Sequence, residues 1–424
     1  MNRCKFLLAL AWSSAWNRKG TLSLVVFSIA LSTTLLLGME RVRTQVRDSF
    51  VQAVSGTDLV VGARGSELQL LLYAVFHMGK ASNNIGWDSA QRLAQRRDVA
   101  WTIPISLGDS HKGFAVVATT TDFFTLYQYR RHASLQFTQG REFEDIFDVV
   151  LGAEVAAREH YRLGDRVLLS HGAGDTRLSL HADKPFTVCG ILAPTGTPVD
   201  RGLYISLAAM EAIHIDWQGG APAPGFHARP DQVSKFNLTP KTVTAVLVGL
   251  KNRARVFAAQ REINTDQQEA LMGVMPGVAL DQLWSLLRTG ENALRVLSWL
   301  VTVAGLAGLV ATILAGLGER RRELAVLRAA GASPKDIVAL LSLESLLLVL
   351  AGTFAGTALT AALLAVFGPM LASGYGLSLT LSLPTATEWQ LLAAINAAGF
   401  FAGLIPAWRA YRISLADGLN ASAG

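Results

Sequence analysis

Four apolar runs, each long enough to cross a bilayer as a helix, divide the chain. Thr21–Gly38 contains no charged residue, and the later runs are Leu294–Leu317, Ile337 to about Phe367, and Trp389–Trp408. The third is long enough to tilt or to extend past the bilayer. Between the first and second runs, residues 40–290 follow shorter periods. Thr57–Gly62, Gly113–Thr119, Val167–Ser170, Phe186–Ile191 and Thr242–Val248 read as strands; Ser89–Arg97, Leu207–Ile213 and Arg253–Gln268 read as helices. The pattern predicts an α-helical membrane protein with four transmembrane helices plus a large α/β extracytoplasmic domain. Within that domain an α/β subdomain is expected at 40–139 and 236–290. A mostly β subdomain is inserted at 140–235, around Gly-Asp turns such as Gly164-Asp165, and 219–225 reads as a mobile loop.

Charge orients these spans, because Lys and Arg stay on the cytoplasmic side. Arg18 and Lys19 precede the first run, Arg320, Arg321, Arg322, Arg328 and Lys335 follow the second, and Arg409 and Arg412 follow the fourth. Residues 368–388 contain no Lys or Arg. The expected order is a cytoplasmic interfacial helix at 1–19, spans at 20–39, 291–318, 337–367 and 389–408, a cytoplasmic loop at 319–336, an outer loop at 368–388 and a cytoplasmic tail at 409–424. Trp12 and Trp16 would sit one turn apart at headgroup depth. The charged start and the apolar Phe6–Trp12 core also fit a secretory signal peptide, but a second basic pair and a longer apolar run follow at once.

Composition agrees with a mixed object: 51% of residues are hydrophobic and 17% charged, with a mean hydropathy of +0.33. The net charge of +6 lies largely beside the apolar runs, which points to membrane orientation and away from nucleic acid. Cys4 and Cys189 fall on opposite sides of the membrane in this topology, so no disulfide is expected. No catalytic motif stands out. The phosphate-binding GxxxxGK[ST] loop is absent, and Gly62-Ala63-Arg64-Gly65-Ser66 lacks its Lys. His77, His111, His132, His160, His171, His181, His214 and His227 all lie in the outer region. None forms an i,i+3 or i,i+4 pair, so local spacing assigns no metal site, although ligands can still converge in three dimensions.

Gly318–Asp336, GERRRELAVLRAAGASPKD, is the densest positive stretch of the second half. Glu319–Ala330 reads as a short basic amphipathic helix stopped by Gly331, and Ser333-Pro334-x-Asp336 restarts a helix. Its residue order resembles the cytoplasmic loop of FtsX/MacB/LolC-type permeases, the membrane subunits of type VII ABC transporters. The pattern E-R-x-x-E-[IL]-x-x-L-[RK]-A-x-G-x-[ST] is met at Glu319, Arg320, Glu323, Leu324, Leu327, Arg328, Ala329, Gly331 and Ser333. The outer segments VLGAEVAA and YRLGDRVLLSHG and the ending PAWRAYRISLADGLN are also similar to family sequence, although Leu415 stands where Pro is common. Within the third run, Glu344 lies about 12 Å along the helix from Asp336. It reads as an interhelix packing contact, because no second intramembrane acid or His forms a relay. Gly352 and Gly356 form a GxxxG, whose small residues let helix backbones approach.

The resemblance implies a MacB periplasmic core-like outer domain and a non-catalytic permease in an inner membrane, with both termini cytoplasmic. It makes Glu319–Gly331, including Arg321 and Arg322, the element that docks on a separate ATPase, which would bind ATP and Mg; this chain would carry no cofactor. It further implies a second permease copy, in a homodimer in preference to a heterodimer, contact with membrane lipids, and a periplasmic cargo or partner. That partner would be a lipoprotein, an exported peptide or toxin, or a metal-linked periplasmic protein; GARGSELQLLLYAVFHMG resembles a subgroup associated with metal handling. The alternative is a membrane regulator or sensor that switches a periplasmic protein without moving a substrate. A secondary transporter is disfavoured because Glu344 stands alone among intramembrane charges.

Overall fold

A computed structural model describes residues 19–79, 83–130, 133–172, 181, 183–218, 221–222, 229–319, 326, 328–329, 331–375 and 383–411. The chain divides into two compact units, one of residues 46–287 with 371–378, the other of 1–45, 288–370 and 379–424.

The first unit is built on an 11-stranded sheet. Its strands are β1 (Leu59–Ala63), β2 (Val99–His111), β3 (Phe114–Thr119), β4 (Phe137–Gly140), β5 (Asp148–Leu151), β6 (Arg166–Val167), β7 (Ser170–His171), β8 (Phe186–Leu192), β9 (Gly202–Ser206), β10 (Ala245–Leu250) and β11 (Leu271–Val274). The order is β11-β1-β10-β2-β3-β9-β5-β8-β4, with β7 paired to β2 and β6 paired to β8. Strand β1 reads LVVGA with no polar alternation because both faces are covered. Leu59 and Val61 enter one core cluster and Val60 the other.

Short helices lie over both faces. Helix α1 (Lys19–Ala53) begins in the helical unit and ends in this one. Helices α2 (Glu67–Ala74) and α4 (Asp122–Leu126) put Leu71, Ala74, Phe123 and Phe124 into the second cluster. Helices α3 (Trp87–Ala94), α5 (Ala153–Glu159), α6 (Leu207–His214) and α7 (Val256–Asn264) bury Leu93, Val155, Ile213 and Ile263 in the first.

Strand β2, 13 residues long, is absent from the sequence expectation. Pro104 and Gly108 disguise it, since neither is typical of a central strand. It lies between β10, paired with Trp101–Ile105, and β3, paired with Ser106–His111, while β9 and β7 of the expected inserted region pair with β3 and β2, so the two expected subdomains share one sheet. Its register against β3 shifts between Leu107 and Ser110, a bulge around Gly108 and Asp109. The Pro104 carbonyl accepts from Thr119 Oγ1 at 2.8 Å.

Four described helices are long and apolar enough to cross a membrane: α1, α8 (Pro276–Glu319), α9 (Pro334–Tyr375) and α10 (Ala386–Tyr411). Leu22, Val25, Ile29, Leu309, Ile313, Leu341, Val349 and Ile395 form the core of the helical unit. Phe27, Phe354, Val366 and Phe401 are exposed, as side chains facing lipid would be. The expected restart at Ser333 is present as a reciprocal cap. Ser333 N and Oγ donate to Asp336 Oδ2 at 2.8 Å each, and Asp336 N donates to Ser333 Oγ at 3.4 Å. Gly331 has φ +95°, the left-handed conformation of a helix stop.

Candidate functional site

Of the residues assigned to ATPase coupling, Glu319 ends α8 and Gly331 makes the turn before α9. Arg328 is helical and half-buried, and Ala329 is helical and exposed. Arg320, Arg321, Arg322, Glu323, Leu324 and Leu327 lie outside the described residues.

The packing residues meet at one helix. Gly352 on α9 faces Ile29 of α1, where an added Cβ would stand 2.7 Å from the Ile29 Cβ. At Gly356 it would stand 2.6 Å from the Ala30 carbonyl oxygen. Thr34 Oγ1 donates to the Gly356 carbonyl at 3.1 Å, so the close approach carries an interhelix hydrogen bond. The same spacing recurs on α10, where sequence reading did not register it: Gly399 lies against Val349 and Gly403 against Ser345. Helix α9 thus packs on α1 and α10 through paired glycines. Glu344, 4% exposed, lies in this core one residue from Ser345.

A charged contact crosses the unit at the α10 N-terminus. Arg41 Nε and Nη2 donate to the two Glu388 carboxylate oxygens at 2.8 and 3.2 Å. The side chains are 9% and 2% exposed. Glu388 also caps its own helix: Thr385 N donates to Oε2 at 3.0 Å, and Glu388 N donates to Thr385 Oγ1 at 3.3 Å. The T-x-x-E spacing of this box is visible in the sequence. Arg41 is 347 positions away from Glu388, and nothing local connects them.

In the sheet unit, the structure brings together Asp109, His171, His181 and His214, whose ligand atoms all lie within 4.8 Å of one another. Asp109 sits in the β2 bulge directly opposite His171 on β7. His214 is the last residue of α6. His181 is held beside β7 by its N–H, which donates to the Leu169 carbonyl at 2.9 Å. Lys184, fully buried, pairs with Asp216 at 2.5 Å and ties the segment after His181 to the turn after α6. Trp217 covers the group, its ring centroid 4.4 Å from that of His181. Burial pushes the Asp109 carboxyl up, but hydrogen bonds from His171 and His214 outweigh it and hold it at about 2. Burial pushes His181 down to about 4, leaving a neutral imidazole at pH 7. Burial also opposes the charged form of His214, and the Asp109 carboxylate outweighs it and raises that group. Sequence spacing carries no signal for this set. Of the other described histidines, His111 contacts Leu168 O and Tyr161, His77 is half-buried with its ring pushed down to about 4 by desolvation, and His160 follows the end of α5.

Comparison with known proteins places both units. The MacB-like periplasmic core domain family matches residues 20–266. The FtsX-like permease C-terminal family matches residues 295–415. The periplasmic region of MacB from Actinobacillus actinomycetemcomitans is similar at 10% identity, with a TM-score of 0.32, covering 55% of this chain and 97% of that one. The extracellular domain of the noncanonical ABC-type transporter YknZ from Gram-positive bacteria is similar at 11% identity, with a TM-score of 0.30, covering 51% and 98%. No curated protein sequence matches. With the core-domain family spanning more than half of the chain and the permease family most of the remainder, this protein belongs to the MacB/FtsX-type ABC transporter permeases, membrane subunits with a periplasmic domain that work with an ATPase subunit.

Proposed function

We propose that this permease passes the ATP-driven motion of a separate ATPase through its membrane helices to its periplasmic domain. There it acts on a periplasmic cargo or partner, in the class of lipoproteins, exported peptides or metal-linked proteins. The observation that carries the proposal is the construction of α9. This helix starts at the capped turn directly after the basic 319–331 stretch, and both α1 and α10 pack against it where glycines remove all side-chain slack. Packed helices shift as bodies and do not deform continuously, so a push at the start of α9 displaces its neighbours. The ATPase docks on the 319–331 stretch and supplies ATP and Mg, because this chain lacks the phosphate-binding loop. A second permease copy completes the assembly, in an inner membrane with both termini cytoplasmic.

The orientation is the first test. Cysteines replace Ala329 and Arg162, both exposed, the latter in the sheet unit. Cys189 gives little background, since burial pushes its thiol up to about 12 and so disfavours the reactive thiolate. A membrane-impermeant maleimide added to intact spheroplasts labels Arg162→Cys and leaves Ala329→Cys unlabelled until the membrane is broken. Labelling of Ala329→Cys from outside would put the loop out of reach of a cytoplasmic ATPase and end the proposal.

A further inference from the structure

We infer that Asp109, His171, His181 and His214 form a binding site for a divalent transition-metal cation of the zinc type. The separations are those of a coordination shell. His171 Nδ1 lies 2.9 Å from His214 Nε2 and 3.1 Å from Asp109 Oδ1. His214 Nε2 lies 3.5 Å from Asp109 Oδ1, and His181 Nε2 lies 3.6 Å from Asp109 Oδ2. Zinc held at 2.0–2.1 Å by four tetrahedral ligands sets those ligands ~3.3 Å apart. These four separations bracket that edge, and all the candidate ligand atoms lie within 4.8 Å of one another.

Two further observations point to a ligand. His181 is fully buried, yet neither of its ring nitrogens has a hydrogen-bond partner among the described residues, and neither does Asp109 Oδ2. Buried polar atoms of native proteins are nearly always satisfied, and leaving them unpaired is costly. A cation at the centre of the group satisfies Asp109 Oδ2 and His181 Nε2 together. The outer contacts of His214 also favour coordination. Its Nδ1 lies 2.8 Å from the Met210 carbonyl, which only accepts, so Nδ1 keeps its proton, and Nε2, which faces Asp109 at 3.5 Å, is the nitrogen whose place a cation would take in the cluster. This is the arrangement by which metal-binding histidines are oriented.

The donor set selects the ion. Three imidazoles and one carboxylate disfavour magnesium and calcium, which take oxygen ligands, and suit zinc and its neighbours. Four protein ligands leave no open position for water, so the ion acts as a staple and not as a hydrolytic centre. It ties β2, β7, the His181 segment and the end of α6 together. Access is through the half-exposed edge, where the His171 and His214 side chains are 37% and 26% exposed.

The test uses the full-length protein in detergent, stripped with chelator and titrated with zinc chloride or with cobalt chloride as a spectroscopic stand-in. Wild type binds one equivalent per chain and gives the visible bands of tetrahedral cobalt. His181→Ala loses binding by more than the 10–100-fold typical of a lost outer-shell contact, since a direct ligand is removed. His171→Ala, at the exposed edge, gives a comparable loss and serves if the buried variant does not fold. His160→Asn, outside the cluster and in a left-handed turn that Asn tolerates, binds as wild type. Absence of one-to-one binding by wild type, or unchanged spectra and stoichiometry in both cluster variants, overturns the inference. The readout is independent of ATPase coupling, so it fails or succeeds separately from the proposed transport role.

Discussion

Glu388→Gln is expected to destabilise the membrane unit by about 3–5 kcal/mol, the cost of breaking a buried ion pair by removing one partner. The substitution is chosen because it changes little else. Gln can serve at the third position of a capping box, so the cap with Thr385 survives. Shape and volume are nearly unchanged. What remains is the Arg41 guanidinium, 9% exposed, facing a neutral amide where two carboxylate oxygens stood. Combining Glu388→Gln with Arg41→Met removes both charges of the pair and recovers most of the loss, because apolar replacement of a buried pair is often neutral. Thermal unfolding of the full-length protein in detergent reads both effects. A single variant as stable as wild type would mean that water reaches the pair.

Gly356→Leu should separate α9 from α1. A Cβ at this position would lie 2.6 Å both from the Ala30 carbonyl oxygen and from the Thr33 Cβ, and backbone cannot step aside as a flexible side chain can. Overpacking of this kind costs roughly 1–3 kcal/mol, and the contact with backbone puts it at the upper end. The hydrogen bond from Thr34 to the Gly356 carbonyl is lost with the approach. Gly308→Leu on α8 is the matched control, because nothing lies within 4 Å of its added Cβ. There the better helix propensity of Leu makes the change neutral or slightly favourable. Equal stability and equal ATPase stimulation for the two variants would show that the α9 glycines are incidental.

The parts of this molecule legible in sequence are those that local physics dictates. Uncharged runs and the basic residues that flank them locate the four long helices. Ser333-Pro334-x-Asp336 and Gly331 mark a helix restart that the structure reproduces with a reciprocal cap and a left-handed glycine. Buried strands such as LVVGA and the apolar Ala245–Leu250 declare themselves by composition. Strand β2 does not, because Pro104 and the Gly108 bulge contradict strand propensity and only its two neighbours compensate. The same bulge aims Asp109 at His171, so the feature that hid the strand also helps build the histidine cluster. Asp109 meets His171 from 62 positions away and Arg41 meets Glu388 from 347, contacts that pairing across the fold creates and no short window contains. The glycine pair Gly399 and Gly403 was legible in principle, since it repeats the spacing of Gly352 and Gly356.

The measurement closest to the central claim is capture of the ATPase by full-length permease carrying Leu327→Asp, with membrane insertion checked separately. Leu324 and Leu327 belong to the apolar stripe of the 319–331 stretch and are the expected anchors in an ATPase groove, since interface centres favour desolvated apolar groups. An uncompensated charge there should cost about 3–5 kcal/mol of docking. Arg321→Ala at the rim should cost only ~0–1 kcal/mol. The account predicts that Leu327→Asp inserts normally and loses the ATPase while Arg321→Ala retains it. Retention of the ATPase by Leu327→Asp at the wild-type level would contradict it, leaving the basic stretch a determinant of orientation and nothing more.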